Sequence, residues 1–294
     1  MQIVILAVFL ALIFSLFSQR LQSRMRKMFR RNAALVWIVP VVLCGLFCAI
    51  AVHFGAFSAS LAGLLIVYTL APTLFVYIQG PNKGGQPSWL DLAAILLLWL
   101  PLEFAVGHQF IPKHIQGFLH SVAYGIAILL ALVLFLGFRS LDGMKYNLPS
   151  TARDYWLPLA AFAVTAPILA GLGVAIGFIS PFHWPVNPSF GKLAGAFGVI
   201  FAGTALPEEI LFRSLIQNLL MTRLGPKITT LMLASFIFGC AHLNNGPQAL
   251  PNWRYMILAT IAGFAYGWVF QKSSTVLSSA ALHALVDWTK HYFF

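Results

Sequence analysis

Apolar residues dominate this chain in long uninterrupted runs, and polar residues gather in short breaks between them. Stretches such as 3–17, 33–52, 61–78 and 117–138 approach the roughly 20 apolar residues needed to cross a bilayer core. The pattern recurs to the C-terminus and places helices near 3–18, 33–52, 59–79, 89–106, 117–138, 155–179, 191–223, 228–243, 253–271 and 274–291. The breaks carry turn chemistry, as in Gly80-Pro81-Asn82-Lys83-Gly84-Gly85 and from Ser180-Pro181 to Asn187-Pro188. The expected fold is all-α, a polytopic transmembrane helical bundle with about eight to ten membrane helices. The longest polar interval, Arg139 to Asp154, divides residues 1–150, read as accessory helices, from 151–294, read as the functional core. No internal repeat is visible.

Composition supports the membrane reading. Of the 294 residues, 60% are hydrophobic and only 9% charged, with a mean hydropathy of +0.86, whereas soluble domains carry about 25% charged residues. The first apolar run has no preceding charge and is followed by Arg20, Arg24, Arg26, Lys27, Arg30 and Arg31. A secretory signal shows the opposite order, so a retained helix with its N-terminus outside is expected. The net charge of +11 follows the positive-inside rule: thirteen of the 18 cations fall in breaks on one side of the ten-helix arrangement. Lys113, Lys192, Arg254 and Lys290 fall on the other. That asymmetry accounts for the basic excess without nucleic acid.

Ionisable residues within apolar helices then stand out, because each costs about 2.5–3.5 kcal/mol or more to insert. Asp91, Asp142 and Asp154 lie at helix starts or in the long loop and are expected to be solvated, and Glu103 to be interfacial. Three C-terminal segments remain. Glu208-Glu209-Ile210-Leu211-Phe212-Arg213 places Glu209 and Arg213 four apart on a helix, where they can pair, with Glu208 turned about 100° away. Phe238-Gly239-Cys240-Ala241-His242 supplies an imidazole. His283-Ala284-Leu285-Val286-Asp287 supplies another, four residues from a carboxylate.

Depth ties these segments together. At 1.5 Å per residue from the expected cytoplasmic helix ends, Glu208, His242, His283 and Asp287 lie roughly 22, 21, 14 and 20 Å deep. Polar groups from three helices at one level can share a water, deprotonate it and aim it at a carbonyl. Zinc held by Glu208, His242 and His283, with a carboxylate as base or fourth ligand, is the alternative, although no HExxH helix exists.

The three segments read EExxxR, FxxxH and HxxxD, in order, over residues 208–287. In this they resemble the type II CAAX prenyl endopeptidases, also called the CAAX protease and bacteriocin-processing family of intramembrane proteases. The resemblance implies that Glu208 and His242 activate the attacking water and that His283 and Asp287 stand near the oxyanion. It gives Glu209 and Arg213 an ionic supporting role, with Phe238 shaping the pocket. Members of this group often carry asparagine where this chain has Asp287, and a carboxyl donates a hydrogen bond only when protonated. No cofactor is favoured; if zinc is present, Glu208, His242, His283 and Asp287 are its ligands. The expected partners are the lipid bilayer and a membrane-embedded or lipidated peptide or protein, and the expected location is a prokaryotic inner membrane. A catalytically silent scaffold or bacteriocin-immunity factor, and an ion-coupled transporter, are the competing functions.

Other features have plainer readings. Cys44, Cys48 and Cys240 form no CxxC pair and are read as packing residues. His53, His108, His114, His120, His183 and His291 are assigned to loops or interfaces. Trp89, Trp156, Trp184, Trp253 and Trp288 form an interfacial belt, and Gly171, Gly173 and Gly177 a close-packing face.

Overall fold

A computed structural model describes residues 1–81, 87–185, 189–246 and 248–294. The described residues are helices and connecting turns. Parts of the two expected loops, at 82–85 with Lys83 and at 186–188, lie outside them. The chain divides into two compact units, Met1–Gly143 and Met144–Phe294.

In the first unit, α1 (Gln2–Ser15) is apolar on every side and ends at an 82° bend into α2 (Gln19–Arg31). Ser18 caps α2 by accepting from the Leu21 amide. The basic run read as a loop is therefore an amphipathic helix. It buries Phe29 edge-on against Phe138 at 5.7 Å, and Arg26 donates to the Leu136 carbonyl at 3.0 Å. Then follow α3 (Ala33–His53), α4 (Ala59–Tyr77), α5 (Trp89–Glu103) and α6 (Lys113–Phe138). Ser58 and Ser88 cap α4 and α5.

Asp91 is not solvated as expected. It closes the capping box of α5 with Ser88 and is fully buried against Arg139, at 2.9 Å. A carboxylate at a helix start interacts favourably with the first-turn amides, and here a buried guanidinium completes its neutralisation.

The second unit holds α7 (Arg153–Ala175), α8 (Phe190–Leu224), α9 (Ile228–Cys240), α10 (Trp253–Lys272) and α11 (Val276–Phe293). Asp154 is again buried rather than solvated. It accepts from the Ser150 and Thr151 amides, and from the Ser274 amide at 2.7 Å and the Ser274 hydroxyl at 2.6 Å. Nearby, Lys145 donates to the carbonyls of Phe270, Gln271 and Ser273 at 2.6–3.0 Å. Its cation thus closes the carbonyl end of α10. Thr275 caps α11 and donates to the Asn147 carbonyl. Together these contacts fix where α11 begins, and therefore where its ionisable residues stand.

By length and apolarity, five helices among the described residues can cross a membrane, or six if α1 and α2 form one broken span. The remaining expected membrane helices are present but shorter or less apolar: α5 has 15 residues and α9 has 13. Large apolar side chains on the long helices point outward, among them Val41, Val67, Val164 and Val199. A soluble protein would bury so many, whereas a helix facing lipid leaves them out. The protein is an integral membrane protein of all-α, polytopic architecture.

Close helix packing occurs at glycines other than those the spacing singles out. Gly173 does abut Ile179, but Gly171 faces open space and Gly177 forms a left-handed turn. The tight approach is between α9 and α10. A methyl on Gly239 would lie 2.7 Å from the Met256 carbonyl oxygen and closer still to the Thr260 hydroxyl. Backbone cannot step aside as a side chain can. Gly239→Ala is therefore expected to destabilise the protein by about 1–3 kcal/mol, measured as a lower midpoint of thermal unfolding in detergent. An unchanged midpoint would show that the two helices separate without cost.

Candidate active site

The α8 backbone changes pitch where it carries the two glutamates. Segments 201–205 and 210–217 are π-helical, flanking Leu206–Glu209. Such wide turns are uncommon and occur often at functional sites. On this stretch Glu209, Arg213 and Gln217 form a buried i,i+4 ladder. Arg213 Nε donates to Glu209 Oε2 at 3.0 Å, and Nη1 to Gln217 Oε1 at 3.3 Å. Gln217 Nε2 continues to the Gly267 carbonyl at 3.0 Å. The guanidinium lies 4.8 Å from the Phe238 ring centroid. Gly263 and Gly267 on α10 admit this ladder: a methyl on either would meet the Phe238 ring or the Gln217 amide.

The other oxygen of Glu209 reaches α11. His283 Nδ1–H donates to Glu209 Oε1 at 3.1 Å. The second ring nitrogen, Nε2, stands 3.4 Å from Asp287 Oδ2 and 3.9 Å from Glu208 Oε2. The ring stacks on Tyr266, with centroids 4.5 Å apart and planes at 19°, and meets Phe238 edge-on at 5.7 Å. His283 thus joins all three carboxylates of the constellation. Glu209 is fully buried, while the side chains of Glu208 and Asp287 are 23% and 30% exposed. Two of the three are accessible.

His242 lies in the turn just after α9. Its Nδ1 contacts the Phe238 carbonyl at 2.9 Å. A carbonyl only accepts, so this nitrogen carries the proton and Nε2 keeps its lone pair. The ring packs between Phe238, at 4.7 Å, and Tyr255, at 4.6 Å. Phe238 therefore separates and orients both imidazoles. His242, Tyr255, Tyr266, His283, Asp287 and Lys290 line one pocket of about 70 Å³, room for several waters.

Three helix segments distant in sequence thus bring their ionisable groups into one place. Residues 190–289 match the family model described as type II CAAX prenyl endopeptidase, Rce1-like. The match covers about a third of the chain and contains all three motifs on which the sequence resemblance rests. No curated protein and no solved structure matches the chain.

Among the described residues no three of His, Cys, Asp and Glu are arranged to hold a metal ion. Both nitrogens of His283 face carboxylates instead. Of the remaining histidines, His53, His114, His183 and His291 are exposed, and His108 and His120 pair at 3.2 Å beside an apolar cavity of the first unit.

Gln217, Tyr255, Tyr266 and Lys290 were not legible as site residues. Gln217 had a signal, since it extends the Glu209–Arg213 spacing by another four residues. Tyr255 and Tyr266 are eleven apart, three helical turns, and so share a face of α10. An apolar chain rich in aromatics hides that pattern.

Proposed function

We propose that the second unit is an intramembrane endopeptidase that hydrolyses a peptide bond in a membrane-associated or lipidated peptide or protein. Glu208 and His242 Nε2 take a proton from water, whose oxygen attacks the scissile carbonyl carbon. His283 and Asp287 stand by the oxygen that becomes negative, where the imidazole donates a hydrogen bond. As the tetrahedral intermediate collapses, the same proton passes to the leaving amine, giving a new carboxyl and a new amino terminus. Glu209 and Arg213 position His283 and need not exchange protons. No step is routed through a metal. The chain is placed in a prokaryotic inner membrane, N-terminus outside, with residues 1–150 as accessory helices.

One observation carries this reading: a pocket with room for several waters in which one imidazole keeps a lone pair while a second is fixed among carboxylates. General-base hydrolysis needs that pairing of a proton acceptor with an oriented polar partner. The family match over the same residues supports it.

The experiment is cleavage of a membrane-peptide library by the purified protein, beside Glu208→Ala and His242→Ala, with and without chelator. Cleavage by the wild type alone, unaffected by chelator, is expected. Activity that survives both substitutions sinks the assignment, and loss with chelator alone moves the mechanism to a metal. No cleavage at all favours a silent scaffold or immunity factor. Substrate-coupled proton flux abolished by Glu208→Ala favours transport.

A further inference from the structure

The charge pattern assigns Lys290 to a membrane face with other loop cations, yet its side chain lines the site pocket. It follows Asp287 by three residues on α11. Its ammonium lies 4.4 Å from the Tyr255 ring centroid and 4.8 Å from that of Phe178. Tyr255 is the ring that also packs on His242. Two other cations of this unit bind oxygen: Arg213 contacts Glu209 and Gln217, and Lys145 three carbonyls. Lys290 differs. Among the described residues no carboxylate is within ion-pair distance of it, and Asp287 turns Oδ2 toward His283.

Aromatic faces attract an ammonium without accepting its hydrogen bonds as an oxygen does. The cation is therefore held in place with its donors still available, in a half-buried setting where an anion is attracted more strongly than in water. On the peptidase reading, on which this inference rests, the occupant of the pocket is a peptide. The anion that peptides carry is a carboxylate.

We propose that Lys290 is a specificity residue that binds a carboxylate of the substrate, either its chain terminus or an acidic side chain. Lys290 lies seven residues beyond His283 on α11, an axial offset of about 10.5 Å between their backbones. An extended peptide spans that distance in a few residues, so the carboxylate is placed along the substrate from the bond that is cut.

The test uses three fluorophore-labelled decapeptides with the same apolar C-terminal sequence. The first ends in a free carboxylate, the second in a carboxamide, and the third is the carboxamide with one residue near its end changed to glutamate. Binding to the full-length protein in detergent is read by anisotropy, and cleavage is followed in parallel. The wild type is expected to bind at least one carboxylate peptide about tenfold more tightly than the plain carboxamide. The peptide that holds the advantage identifies the source of the carboxylate. Lys290→Met should bring the ratio to one, Lys290→Glu should reverse it, and Lys290→Arg should retain it. A merely structural lysine would not move the ratio in these three directions. Equal binding of acid and carboxamide by the wild type, a preference that persists in Lys290→Met, or no binding of any peptide overturns the proposal. Carboxylate preference without cleavage leaves Lys290 as an anion reader and rejects the peptidase. Cleavage without preference does the opposite.

Discussion

Glu208→Gln is expected to lower kcat/KM for a cleaved peptide by about 10²–10⁴-fold, with the protein still folded. The amide preserves the shape of the side chain but cannot accept a proton from water. Glu208 is the accessible member of the glutamate pair, at 23% exposure, whereas Glu209 has both oxygens engaged by Arg213 and His283. The loss should fall on kcat, since a base acts in the transition state rather than in binding. If Glu208 and His242 act on one water, Glu208→Gln combined with His242→Ala should be little worse than either alone. A double variant whose loss equals the product of the two single losses would separate their roles. Full activity in Glu208→Gln would remove Glu208 from the chemistry.

Arg213→Met is expected to cost about 3–5 kcal/mol of stability, because it leaves the fully buried Glu209 without its counter-charge. The guanidinium also holds Gln217 of the same helix and packs on Phe238, so α9 loses a contact with α8. Replacing both members, Arg213→Met with Glu209→Gln, should recover a large part of that loss. A buried pair removed whole leaves no charge stranded, whereas a half-removed pair does. Unfolding of the purified protein in detergent, followed by tryptophan fluorescence, measures the cycle. A single variant within about 1 kcal/mol of wild type would show that the pair contributes little, against the general behaviour of buried ion pairs. A double variant as unstable as the single would place the cost in lost packing instead.

Much of this site could be read from residue order. The spacing of four between Glu209 and Arg213, and between His283 and Asp287, sets neighbours on one helix face, and both pairs are in contact. The class of protein was equally plain, because a bilayer-length apolar run has few other uses. Solvation of Asp91 and Asp154 was misread for a local reason. Each sits at a helix start, where sequence shows only a turn, while the groups that bury it lie 48 residues on at Arg139 and 120 residues on at Ser274. The basic run 20–31 was assigned to a break between helices, since its amphipathic face finds a partner in the distant end of α6.

The distribution of apolar and ionisable residues by itself determined that the chain is helical and membrane-embedded, and it marked the stretch from Glu208 to Asp287 as the candidate site. Those properties follow from transfer free energies and helical spacing, which are local to each segment. Only the tertiary structure decided how the groups are divided. It gave Glu209 to Arg213 and His283, left Glu208 and Asp287 accessible, freed Nε2 of His242, and brought Lys290 into the pocket. Those outcomes depend on the rotation and approach of α8, α10 and α11. The pitch of α8 and the contact of glycines with a neighbouring helix set that geometry, and no single segment encodes it.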